Sequence, residues 1–208
     1  MVLFLAARAL ADDAPLTPAP PEHLGAYMAE LESPDRAKWQ KPREVVNALG
    51  LKQGMTIADI GAGTGYFTRR FAPRVGPQGT IYALDTEQGM LDDLHRRAPG
   101  FKNIVRRVVA PDDPKLGDAT IDLIFICNTG HHLPDRVHYY EKLRQALRPG
   151  GRLVLIDFQK KKLPVGPPLN EKVSREETLE EAKKAGFKLR RSRDFLPYQY
   201  FLELEAKG

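Results

Sequence analysis

The 208-residue chain has one cysteine, Cys127, and one tryptophan, Trp39. A lone thiol cannot close an internal disulfide. Five histidines without ligand-type spacing leave no pattern for a zinc site, and no metal is expected. Long apolar runs are scarce too. Met1–Ala11, MVLFLAARALA, is interrupted by Arg8 and is too short to span a bilayer as a helix. Charge of one sign is not in large surplus: 32 basic residues face 27 acidic ones, for a net +5. The basic residues are scattered through Arg69-Arg70, Arg96-Arg97, Arg106-Arg107, Lys160–Lys162 and Arg190–Arg193, with acids between them. A nucleic-acid footprint needs clustering on one face, so such a partner is not expected.

What is present suits one full-sized core. A hydrophobic content of 42% over this length predicts a single domain with a tail, and it excludes a second catalytic domain. The domain is expected over residues 22–208. Residues 1–21 read as a signal-like or disordered segment plus a linker, with four prolines between Ala14 and Pro21. Ala9-Leu10-Ala11 has the small-x-small form of a cleavage site, yet no basic stretch precedes the apolar run. Both a secretory signal completed upstream and a loosely docked amphipathic start fit this, so cytoplasmic and exported locations stay open.

The chain is organised around Met55–Ala72, MTIADIGAGTGYFTRRFA. Its apolar run ends in Asp59 and passes into glycines at 61, 63 and 65, then into a helical pattern from Tyr66. That order predicts a strand, a tight loop and a helix start. Glycine lacks a Cβ, so the loop can take backbone angles closed to other residues and approach a ligand at the helix N-terminus. A dinucleotide fold wants G-x-G-x-x-G. Here the third glycine comes one residue early and Tyr66 stands in the expected place, which crowds a pyrophosphate.

Residues Asp59-Ile60-Gly61-Ala62-Gly63-Thr64-Gly65 resemble the first motif of the class I S-adenosylmethionine-dependent methyltransferases. The resemblance extends from about Arg43 to the end and includes Leu147-Arg148-Pro149-Gly150-Gly151-Arg152-Leu153. It implies an α/β, Rossmann-like sheet of seven mostly parallel strands in the order 3-2-1-4-5-7-6, the last strand antiparallel, beneath an N-terminal helical cap. It implies S-adenosyl-L-methionine as cofactor, with Asp59, Gly61, Ala62, Gly63, Gly65 and Tyr66 around it.

Downstream features point the same way. Gly79–Asp85 reads as a second strand whose terminal acid, Asp85, is placed to accept both ribose hydroxyls of a nucleoside. Met90 packs near the adenine in the resemblance, or else in the core. Asp112 or Asp113, after a third strand at Asn103–Val109, matches the position that bonds the adenine amino group; a turn role is the other reading. Ile121–Cys127 is a continuous apolar run, as a central parallel strand requires. It ends in Asn128-Thr129-Gly130-His131-His132, and ligands of such sheets bind beyond the carboxyl ends of the strands. Asn128 is therefore expected at the cofactor, and His131 and His132 at the reacting end.

Residues 22–50 are expected to close over that mouth as a helical lid. Leu24, Tyr27, Met28 and Leu31 recur at helical spacing. Ser33-Pro34-Asp35 can cap a helix with Pro34 at its first position. Trp39 and Tyr27 from the lid, with Tyr198 from the last strand connection, are candidate substrate-side residues, and Trp39 can equally be a staple holding the lid down.

The expected activity is methyl transfer by in-line displacement to a small-molecule acceptor, with His131 or His132 as the base where the acceptor must lose a proton. The loop at Asn128–Asp135 is similar to that of small-molecule methyltransferases, including quinone-biosynthesis and arsenite-methylating branches; the latter use several cysteines. The alternatives are an NAD-dependent oxidoreductase, an idle cofactor-binding module, and methylation of protein side chains. The sequence does not address oligomeric state.

Overall fold

The computed structural model describes residues 24–207. The signal-like segment Met1–Ala11 and the linker Ala14–Pro21 lie outside the described residues.

A seven-stranded sheet runs β3-β2-β1-β4-β5-β7-β6. The strands are β1 (Thr56–Ile60), β2 (Thr80–Asp85), β3 (Ile104–Val108), β4 (Ile121–Cys127), β5 (Leu147–Phe158), β6 (Phe187–Arg193) and β7 (Gln199–Ala206). Those from β1 to β5 pair in parallel, and β7 pairs antiparallel with both β5 and β6. This is the order and polarity expected from the sequence. The strand order reverses between β1 and β4, which opens a crevice above their carboxyl ends.

Apolar residues cover both faces of the centre. One cluster joins Ile124, Ile126, Leu155 and Leu202 to α6 (Arg136–Ala146) and α7 (Arg175–Lys184). The other joins Ile57, Phe125 and Val154 to α3 (Pro42–Ala48) and α4 (Thr68–Val75). Phe125, with no exposed surface, meets Phe67 at 4.9 Å and Phe71 at 5.1 Å, both edge-on. Such pairs contribute about 0.5–1.5 kcal/mol each beyond burial. The helix α5 (Gln88–Arg97) packs Leu91 and Leu94 over β2.

Local hydrogen bonds and strand pairing set several boundaries. Helix α2 (Arg36–Gln40) starts two residues after Pro34, because Ser33 and Pro34 carbonyls accept the Arg36 and Ala37 amides in a preceding turn. Helix α6 begins at Arg136, where the Asp135 carboxylate accepts the His138 amide at 3.1 Å. Arg148–Gly151 form a bulge inside β5, since Leu147 pairs with Ile121 and Arg152 with Leu123. The capping box on α7 has both its bonds: Ser174 accepts the Glu177 amide at 3.1 Å, and Glu177 accepts the Ser174 amide at 2.8 Å.

Candidate active site

Three helices precede the sheet. The first, α1 (Leu24–Leu31), has no fully buried residue, yet it lies against the glycine loop. Leu31 Cδ1 stands 3.6 Å from where a Cβ on Gly63 would be, and Leu24 approaches Gly89 at the start of α5. Glu32 fastens this helix by accepting from the Thr64 hydroxyl and from Arg69, each at 2.6 Å.

The glycine loop is shaped from within. Gly61, Gly63 and Gly65 all have positive φ, at +67°, +55° and +79°. The amides of Gly61 and Ala62 donate to the Leu84 carbonyl, and that of Gly63 donates to Asp85 Oδ2 at 2.7 Å. The other oxygen of Asp85 accepts the Glu87 amide at 3.0 Å. A carboxylate has about four acceptor sites, so two remain for a ligand's hydroxyls.

Asp59, at the end of β1, is buried and accepts from the Thr68 hydroxyl at 2.5 Å. Burial pushes its pKa up to about 7, with the neighbouring Asp85 charge adding to the rise and the Thr68 bond opposing it. The folded protein therefore holds a proton on Asp59 that the unfolded chain releases near pH 4. The stability linked to it is fully present below pH 4 and is lost as pH rises through 7. Asp59→Asn is expected to flatten the decline in unfolding free energy between pH 4 and 7 and to stabilise the protein by roughly a few kcal/mol at pH 8. Urea titrations across that range measure it, and an unchanged slope would contradict the assignment.

Arg36 was not anticipated from the sequence. Its guanidinium is buried at 3.9 Å from the Tyr66 ring centroid, with Arg70 at 4.0 Å from the same ring. One nitrogen donates to the Leu31 carbonyl, and the Nε–H has no partner among the described residues. A buried donor left alone costs roughly 1–3 kcal/mol, so this one is a standing invitation to an anionic or polar ligand. Tyr27 lies near Arg36 and Asp85: burial raises its hydroxyl pKa, Arg36 counters that, and Asp85 adds to it. Met90 is buried at the start of α5.

Asp112 and Asp113 sit in the turn after β3. Asp113 accepts the Lys115 amide at 2.9 Å, the Asp112 carbonyl accepts from Lys142, and the Asp112 side chain is exposed. Neither carboxylate hydrogen-bonds the glycine loop.

At the carboxyl end of β4 the Asn128 carboxamide closes a ring with two others. Asn128 donates to Gln40 at 3.1 Å, Gln40 donates to Gln199 at 2.9 Å, and Gln199 donates back to Asn128. The ring ties α2 to the ends of β4 and β7. Beside it, Asp157 at the end of β5 holds His131: both carboxylate oxygens are 3.0 Å from Nδ1, and Oδ2 accepts the His131 amide at 3.2 Å. An ionised carboxylate only accepts, so Nδ1 carries the proton and Nε2 is left basic. The His132 ring lies 4.1 Å from that of His131. Burial, then the neighbouring His131, lowers its pKa and keeps it neutral at pH 7. Trp39 stands 5.5 Å from Phe158, and the Tyr198 carbonyl accepts the Gln159 amide next to it. Cys127 is inert, because burial raises its thiol well above the ordinary range.

Gln40, Asp157 and Gln199 were missed with Arg36. The available signal was a polar residue at the carboxyl rim of otherwise apolar elements, as Asp157 stands in Leu153–Phe158.

The arrangement of sheet, glycine loop and rim agrees with known proteins. A family model described as a methyltransferase domain matches residues 58–153. The solved structure of a SAM-dependent methyltransferase from Aquifex aeolicus superposes with a TM-score of 0.81 at 28% identity, covering 86% of this chain and 96% of that one. Over residues 58–153 the chain matches a methyltransferase domain, and its fold is that of the class I S-adenosylmethionine-dependent methyltransferase family. Adenosylmethionine is the cofactor of that family. Among curated relatives, a ubiquinone/menaquinone biosynthesis C-methyltransferase of Idiomarina loihiensis is 32% identical over 134 residues, 62% of this chain and 51% of that protein. A demethylmenaquinone methyltransferase of Staphylococcus aureus is 26% identical over 129 residues, 61% of this chain and 52% of that one. The chain spans about half the length of the curated relatives it matches. Among the described residues no helix is long and apolar enough to cross a membrane.

Proposed function

We propose that residues 22–208 form a methyltransferase unit, with 22–50 as its lid, that transfers a methyl group from adenosylmethionine to a small-molecule acceptor. The observation that carries this is the Asp157–His131 pair at the carboxyl rim of the same sheet that carries the glycine loop. When bound, adenosylmethionine supplies an electrophilic methyl on a sulfonium whose leaving group departs neutral, so the protein needs to provide no acid.

The site's own groups fit that cofactor. The two acceptor positions remaining on Asp85 suit a pair of ribose hydroxyls. The unpartnered Nε–H of Arg36 suits a carboxylate such as that of the cofactor's amino-acid end. Positive φ at Gly61, Gly63 and Gly65 keeps the loop free of side chains where the nucleoside would run. Asn128, fixed by Gln40 and Gln199, limits movement at the rim. His131 Nε2 takes the acceptor's proton while Asp157 holds Nδ1 and stabilises the imidazolium that forms. The relatives named for quinone biosynthesis act on small molecules, which favours such an acceptor here over a protein side chain.

Isothermal calorimetry with S-adenosylhomocysteine tests the cofactor half. Binding is expected for the wild type, and Arg36→Met is expected to weaken it by about tenfold or more, the loss of one charge-assisted hydrogen bond. No heat with the wild type would remove methyl transfer as the activity.

A further inference from the structure

The acceptor end contains a buried positive charge that none of the steps above employs. Lys172 is 4% exposed. Its ammonium donates to the Lys161 carbonyl at 2.9 Å and lies 5.9 Å from the centre of the Phe158 ring. No carboxylate among the described residues comes within ion-pair distance of it. Other lysines of the same loop are placed differently: Lys160 pairs with Glu177 at 3.1 Å, and Lys161 and Lys162 are exposed.

Burying an ammonium without a counter-charge is expensive, and proteins tolerate it where a partner arrives from elsewhere. One carbonyl and one ring face compensate it only in part, since an ammonium has three N–H donors and the carbonyl takes one. Its position is informative. Phe158, whose ring it faces, follows Asp157 directly and pairs in the sheet with Gln199 of the carboxamide ring. The next residue, Val173, lines a small cavity together with Asp157 and Gly130. On the lid side, Trp39 is tilted 43° to Phe158 and precedes Gln40 of the same ring. Lys172 therefore stands at the carboxyl end of β5 on the Phe158 ring, which meets Trp39 from the helices before the sheet.

We infer that the acceptor is a small aromatic anion: its ring lies against Trp39 and Phe158, and its negative group pairs with Lys172. This rests on the methyltransferase function proposed above and adds the acceptor's chemical class. The cation then gains its missing counter-charge only when the acceptor is bound, which favours anions over their neutral analogues.

Because Trp39 is the single tryptophan, its fluorescence reports occupancy beside these rings without any turnover. The experiment titrates full-length protein, saturated with S-adenosylhomocysteine, with 4-hydroxybenzoate, 2-hydroxybenzoate and 3,4-dihydroxybenzoate, each against its methyl ester at pH 7. At least one acid is expected to change the Trp39 emission and to bind about tenfold or more tightly than its ester. Lys172→Met is expected to erase that preference, while Lys172→Arg and the surface change Lys162→Met keep it. Equal affinity for acid and ester, no response to any acid, or a preference surviving in Lys172→Met would overturn the inference. Calorimetric binding of S-adenosylhomocysteine to each variant reports folding, and its loss in the wild type would count against methyl transfer itself rather than against the acceptor's charge.

Discussion

His131→Ala is expected to lower kcat by about 10²–10⁴-fold, the usual contribution of a positioned general base, while leaving affinity for S-adenosylhomocysteine unchanged. The separation follows from the layout. The imidazole is bonded to Asp157 at the β5 end, whereas the glycine loop is tied to Leu84 and Asp85 at the β2 end. Asp157→Asn should lower kcat in the same direction, because a carboxamide can present an N–H to Nδ1 and turn the ring to the wrong tautomer. His132→Ala should cost less: no hydrogen bond joins its ring to Asp157 in the structure. The measurement is single-turnover methyl transfer with S-adenosylhomocysteine affinity determined alongside. A wild-type rate in His131→Ala would remove this residue from the chemistry.

Gly65→Ala is expected to be far more damaging than Gly63→Ala, although the two glycines are two residues apart in one loop. Both positions have positive φ, which costs a residue with a Cβ about 1–2 kcal/mol. At Gly65 the added carbon would overlap Leu94 Cδ1, so that fully buried side chain would have to shift, for roughly 1–3 kcal/mol more. At Gly63 the nearest atom is Leu31 Cδ1 at 3.6 Å, an ordinary contact with α1, which has no fully buried residue. Urea unfolding should separate the variants by about that second amount, and calorimetry should find S-adenosylhomocysteine binding weakened more in Gly65→Ala. Equal losses would mean that backbone angle alone governs the loop.

The two predictions concern residues that were legible to different degrees. The glycines and Asp85 announce themselves because a strand, a loop that excludes side chains and a second acid-tipped strand form a local pattern with a set spacing. His131 and His132 were legible as a pair after the central apolar strand, since ligands meet parallel sheets at that end. Asp157 was not: an acid ending an apolar strand is common, and only the pairing of β5 beside β4 brings it to His131. The same holds for Gln40 and Gln199, separated by 159 residues and joined at 2.9 Å. The turn written into Arg148–Gly151 was visible as glycine and proline, but its form as a bulge within β5 depended on how Leu147 and Arg152 found partners on β4. Tyr27, a candidate substrate-side residue together with Trp39, lies near Asp85, because α1 and α2 are separate helices.

The sequence by itself determined the sheet, its strand order through resemblance, and the cofactor loop, because apolar periodicity and glycine placement act over a few neighbouring residues. The tertiary structure decided which polar groups meet: the Asp157–His131 pair, the carboxamide ring, the unpartnered Nε–H of Arg36 and the lone ammonium of Lys172. Those groups come from distant segments, and the energy of a buried charge or donor is set by what surrounds it in space, which no spacing along the chain records.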